Sequence, residues 1–115
     1  MAKDQLYLLR PGFMNAGLGP LYCSESAPIE GVLSFFPTLR ASIDVHYIDF
    51  PRPRAVLVQA LGEEHQAVPV LILAAGRVLR KDMPEARSAR GKRFFSDEHR
   101  IRQYLSLQYK LPAPG

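Results

Sequence analysis

Two apolar runs, Gln5–Leu9 and Ile43–Ile48, stand a helix-length apart, and this interval restricts the fold more than any other feature of the chain. A hairpin needs only a few connecting residues, whereas a parallel pair of strands needs a crossover of a dozen or more. From Pro28 the interval turns helical: Ile29, Val32, Leu33 and Phe36 fall at i, i+3, i+4 and i+7, the spacing of one helix face. Pro28 suits a first helical turn, and Pro37 breaks the pattern before Arg40. Strand, helix and strand in this order predict a βαβ unit with its two strands parallel.

The remaining chain supplies a second layer of elements. Phe50-Pro51-Arg52-Pro53-Arg54 reads as a rigid connection, after which Val56, Leu57, Ala60 and Leu61 share a helical face that ends at Gly62. The β-branched residues in that segment also suit a strand. Val68-Pro69-Val70-Leu71-Ile72-Leu73 reads as a buried strand with proline at its entrance, where the missing N–H falls before the ladder forms. Residues 74–91 show little apolar periodicity and read as a long hairpin loop, from which Arg93-Phe94-Phe95 returns antiparallel to Val70–Leu73. Ser96-Asp97-Glu98 supplies a cap and first-turn acids for a last helix whose Ile101, Tyr104, Leu105 and Leu111 line the core before Pro112. The sum is βαβ then ββα, an α/β chain with a central four-stranded mixed sheet flanked by helices.

Length and composition limit what such a chain does. Its 115 residues fit a single domain, 1–115, with a core large enough to do without disulfides. One cysteine excludes an internal bridge, and no Cys/His cluster has zinc spacing, so no metal and no resident cofactor are expected. The start lacks a signal peptide's apolar core, and Val68–Ala75 is far shorter than the roughly 20 residues of a membrane span. A cytoplasmic protein with no membrane partner is the expectation. The net charge of +4 is local: Arg77 to Arg93 hold seven cations against Asp82 and Glu85, and the rest is nearly neutral. This basic segment reads as a solvated loop. Without interleaved aromatics it offers no stacking platform, so nucleic acid is not the expected partner.

The chemistry centres on Tyr22-Cys23-Ser24-Glu25-Ser26, where the single cysteine precedes the first helix. A helix N-terminus directs free N–H groups and partial positive charge at what precedes it, which favours thiolate over thiol. Glu25 opposes that effect. Ser26 reads either as an N-cap or as a hydrogen-bond donor to sulfur. Gly17-Leu18-Gly19 opens like a dinucleotide fingerprint, but Tyr22 stands at the third glycine position. His46, His65 and His99 are spread without ligand spacing and read as structural or solvated. Glu30 reads as a solvated or partly buried helix acid.

Three places together, Tyr22–Ser26 with Ile29-Glu30-Gly31, then Phe50–Arg54, then Gly62–Pro69, resemble the thioredoxin-like and glutaredoxin-like superfamily. Almost the whole chain is covered, and the resemblance is nearest to an uncharacterised bacterial family of unknown function. It implies that Cys23 is the first cysteine of the redox motif and that Ser26 replaces the second, giving CxxS as in monothiol glutaredoxins. It implies a cis bond at Val68-Pro69, whose backbone docks glutathione or an extended peptide. It also implies that Ser96 and Asp97, at the last helix start, receive the γ-glutamyl carboxylate. Phe94-Phe95 stands where that family has paired glycines, and Glu98 places an acid where the ligand's anionic end arrives. The function implied is monothiol thiol-disulfide exchange or glutathione binding, with glutathione or a protein thiol as partner. The alternative is a noncatalytic domain of the same fold that docks a peptide or partner protein. Oligomeric state is left open.

Overall fold

The computed structural model describes residues 2–115. In chain order the elements are β1 (Gln5–Leu9), β2 (Phe13–Asn15), β3 (Leu18–Leu21), α1 (Ser26–Phe35), α2 (Leu39–Ser42), β4 (Asp44–Ile48), α3 (Ala55–Leu61), β5 (Val70–Ile72), β6 (Arg87–Ala89), β7 (Lys92–Phe95) and α4 (Glu98–Tyr109). The main sheet is mixed and runs β4-β1-β5-β7-β6. β1 pairs with β4 in parallel from Gln5↔Asp44 to Leu9↔Ile48, as the crossover interval predicts. On its other side β1 meets β5 antiparallel, with Tyr7 opposite Val70, and β7 returns against β5 with Leu71 opposite Phe95.

The central strands read as unbroken apolar runs because both of their faces are covered. Leu6 and Leu8 of β1, Leu71 of β5 and Phe95 of β7 point into one cluster with Ile29 and Leu33 of α1 and Ile101 and Leu105 of α4. Their neighbours Tyr7, Val70, Ile72 and Phe94 point the other way, against Leu57 and Leu61 of α3. Helical residues 55–61 therefore exclude the strand reading of that segment. Each fully buried leucine contributes about 1.5–3 kcal/mol by leaving water.

Two segments differ from the sequence expectation. The sheet has five strands rather than four, because β6 pairs with β7 from Arg87↔Phe94 to Ala89↔Lys92. Its turn residues Arg90 and Gly91 both have positive φ, 49° and 73°, as the two-residue hairpin turn that matches strand twist requires. An edge strand with an exposed outer side has no apolar alternation to announce it. The supposed loop from Gly12 to Pro20 likewise folds as the two-stranded hairpin β2–β3, turning through Ala16 and Gly17 at φ 53° and 79°. At Gly19, φ 143°, an added Cβ would lie 2.7 Å from the Phe13 carbonyl oxygen. Only glycine lets the two strands approach that closely.

Where the first strand begins, Asp4 is wholly buried. Its carboxylate accepts the Ala74 backbone N–H at 2.7 Å, the Arg77 guanidinium at 3.1 Å and the Tyr109 hydroxyl at 2.8 Å, and it also accepts the Tyr104 hydroxyl. Burial first, and these bonds second, push both phenols well above their ordinary range. Nothing in the local pattern Ala2-Lys3-Asp4-Gln5 distinguishes this acid from a solvated one.

Candidate functional site

The strand directions carry several loops to one edge of the sheet. β1 and β4 end there and β5 begins there, while β7 ends there beside the start of β6. Cys23, the Val68-Pro69 pair and Ser96-Asp97 consequently belong to the same edge, above β1, β5 and β7 in turn. With strands about 4.8 Å apart, β7 stands roughly 10 Å from β1.

Cys23 is half-buried just ahead of α1. The backbone N–H of Ser26 donates to its Sγ at 3.3 Å, and Ala27 N–H donates to its carbonyl at 3.1 Å. The Ser26 hydroxyl faces elsewhere and accepts the Leu9 N–H at 3.2 Å, tying the helix start to the end of β1. Neither Ser24 nor Ser26 caps the helix with its side chain, and Glu25 holds the N-cap position in helical conformation. The serine of the Cys-x-x-Ser stretch thus meets sulfur through its main chain, and its hydroxyl is a fold staple.

Beside the sulfur lies a cavity of about 200 Å³. Leu8, Leu9, Pro11 and Ala27 give it apolar walls, and Tyr22, Cys23, Ser26, Glu30 and Tyr47 complete the lining. Glu30 is not a free acid there: it accepts the Tyr47 hydroxyl and pairs with Arg40, whose guanidinium also donates to the Tyr47 oxygen at 3.1 Å. Burial, with the Glu30 hydrogen bond, pushes the Tyr47 phenol up, and Arg40 acts in the opposite direction.

The sequence reading missed Arg54, treating it as part of a linker. Its side chain is buried. The guanidinium donates to the Phe50 carbonyl at 2.8 and 3.1 Å and to the Gln66 carbonyl at 2.8 Å, and lies over the Phe50 ring at 5.6 Å. Its backbone N–H donates to Gln66 Oε1 at 2.7 Å. Burial and the neighbouring Arg52 pull the Arg54 guanidinium down from its usual range, with Cys23 acting the other way. The guanidinium joins the loop after β4 to the segment leading into Val68-Pro69.

The Val68-Pro69 bond is cis, as are Gly19-Pro20 and Arg52-Pro53. Val68 and Pro69 are not among the walls of the cavity beside Cys23. Ser96 and Asp97 line a separate cavity of about 300 Å³ with Arg87 and Arg100. There Ser96 Oγ accepts from Arg87 at 2.9 Å, and Asp97 caps α4 by accepting the His99 N–H at 2.8 Å and also pairs with Arg100. Glu98 is held by Arg102 at 2.7 Å. The start of α4 is complemented by the protein's own carboxylates.

Of the histidines, His46 stacks on Tyr7 at 4.7 Å and His65 meets the Phe94 ring edge-on, while His99 is exposed at the start of α4. No helix among the described residues is long and apolar enough to cross a membrane. Residues 3–113 match the model of a family described as a protein of unknown function, DUF3088. Neither the curated proteins nor the solved structures contain a match to the chain.

Proposed function

As the chain belongs to the DUF3088 family, whose function is not assigned, we propose that it is a thioredoxin-like domain exchanging disulfides with a thiol partner through Cys23. The observation that carries this reading is the Ser26 N–H directed at Cys23 Sγ at 3.3 Å, a donor that stabilises negative charge on sulfur as it attacks or leaves. The sheet order supports it as well: a parallel β1–β4 pair continued by antiparallel β5 and β7 is the arrangement expected of such a domain.

With a single cysteine in the chain, exchange proceeds through a mixed disulfide. The Cys23 thiolate attacks one sulfur of a disulfide RS–SR′, the new Cys23–SR bond forms, and the electron pair of the old S–S bond leaves with R′S⁻, which takes a proton from solvent. A second thiolate then attacks the R sulfur and releases Cys23. The test is the rate of mixed-disulfide formation at Cys23 with a small neutral disulfide, in the native chain and in urea. Native exchange at least about tenfold faster than unfolded supports the site; equal or slower exchange favours a noncatalytic domain. That second reading draws on the exposed Met14, Leu18 and Tyr22 around the β2–β3 hairpin, an apolar surface suited to docking a partner protein.

A further inference from the structure

We propose that the body of the thiol exchanged at Cys23 is an uncharged, ring-sized apolar group seated in the cavity between β1, α1 and β4, and that glutathione is a poor partner. The inference rests on the exchange reading above and names its substrate class. Size gives the first argument. A cavity of about 200 Å³ is slightly larger than one of about 150 Å³ that takes benzene, and smaller than the ~300 Å³ at which pockets for drug-sized ligands begin. A tripeptide does not seat whole within it; an aryl group or a short branched alkyl group does.

The walls give the second argument. Leu8 and Leu9 are buried strand residues, and Pro11 and Ala27 add further carbon. A carboxylate brought into these walls would lose water and find no cation among the lining residues, and Arg40, which touches Glu30 and Tyr47 of that lining, is already engaged by them. Burying an unpaired charge costs far more than the cavity returns. An apolar group loses nothing by the same transfer, and it reaches sulfur directly because Cys23 lines the same space.

The start of α4 supplies the third. A glutathione carboxylate arriving there meets Asp97, engaged by His99 N–H and Arg100, and Glu98, engaged by Arg102. The helix end has its charge complement before any ligand arrives.

The experiment compares diphenyl disulfide with oxidised glutathione, following the mixed disulfide at Cys23 by mass spectrometry. Each rate is divided by that of N-acetylcysteine with the same disulfide, which removes intrinsic differences in leaving group. The expected normalised ratio of aryl to glutathione rate is about tenfold or more. Ala27→Leu adds carbon at the cavity wall from an exposed helical position that accepts leucine with little propensity cost, and it is expected to bring the ratio toward unity while the melting temperature verifies folding. A ratio near one in the unaltered chain, or one that Ala27→Leu does not change, overturns the inference and leaves exchange at Cys23 standing. Native Cys23 reacting no faster than the unfolded chain with any disulfide removes the exchange reading, and this inference with it. Benzyl alcohol, which has no sulfur, reads the cavity separately: saturable shifts of the Leu8 and Ala27 methyl signals are expected, and their absence overturns the assignment of the cavity.

Discussion

Asp4 and Tyr104 stand 100 positions apart in the chain and share a buried hydrogen bond in which the phenol donates to the carboxylate. Tyr109, one turn further along α4, reaches the same carboxylate at 2.8 Å, and Ala74 and Arg77 close it from the end of β5. One acid thus fastens the start of β1 to the last helix and to the loop that follows the central strand.

Asp4→Ala removes the acceptor of a backbone N–H, a guanidinium and two phenols at once. A loss of about 3–5 kcal/mol is expected, the range for breaking a buried charged network from one side. Tyr104→Phe deletes one donor and keeps the ring, and should cost about 1–3 kcal/mol. Urea unfolding of the two single variants and the double variant checks both, and their coupling should be strong because the two residues are hydrogen-bonded to each other.

Alkali should weaken the same region. Burial raises the native values of the Tyr104 and Tyr109 phenols, so the native state keeps protons that the unfolded chain releases near pH 10. Their stabilisation is complete below about pH 10 and declines as pH rises beyond it, by about 1.4 kcal/mol per pH unit for each phenol. Urea midpoints at about pH 9, 10 and 11 should fall in that order, and the fall should be shallower in Tyr104→Phe.

At the helix start, Ser26→Ala leaves the Leu9 N–H without its acceptor and should cost about 1–2 kcal/mol. Ser26→Thr, which retains a hydroxyl, should lose less. Thermal melts of the two variants give the comparison, and equal losses would mean that the hydroxyl is not the staple.

Arg54→Lys should destabilise by about 2 kcal/mol or more, although charge is preserved. A lysine cannot span the Phe50 and Gln66 carbonyls with a planar fork, nor lie flat on the Phe50 ring. Denaturant midpoints test this, and a silent substitution would show that charge alone suffices.

At the start of α4 the two acids should respond differently. Asp97→Ala removes the cap on His99 N–H and should cost about 1 kcal/mol of stability. Glu98→Ser removes an exchangeable charge and should raise glutathione affinity modestly, by less than about tenfold, since Arg102 already screens that carboxylate. Calorimetry with glutathione measures the second, and tighter binding by several hundredfold would contradict the account of this helix end.

The parts of the fold legible in the sequence were those where burial writes a pattern. Leu6, Leu8, Ile29, Leu33, Leu71 and Phe95 announced themselves because both sheet faces are covered. The two hairpins did not, because β3 and β6 are mostly solvent-exposed and turn through Ala16 and Arg90 in place of the usual asparagine. For the candidate site, Cys23 stood out as the single thiol, and the cis bond at Val68-Pro69 followed from the resemblance. Glu30 with Tyr47 and Arg40, Arg54 with Gln66, and Asp4 with Tyr104 were not visible. Each is a meeting of polar residues distant in the chain, and distance in sequence leaves no local periodicity to read.

The first strand has the acid knot at one end and the cysteine loop at the other. Its five residues span roughly 17 Å, beyond the 7–10 Å over which substitutions usually influence one another. Changes made around the cavity should therefore add to, and not compound, changes made around Asp4. The molecule resembles a tool with a fixed grip and an exchangeable bit: the rim of the cavity can be remodelled while the opposite end continues to set how firmly the chain stays folded.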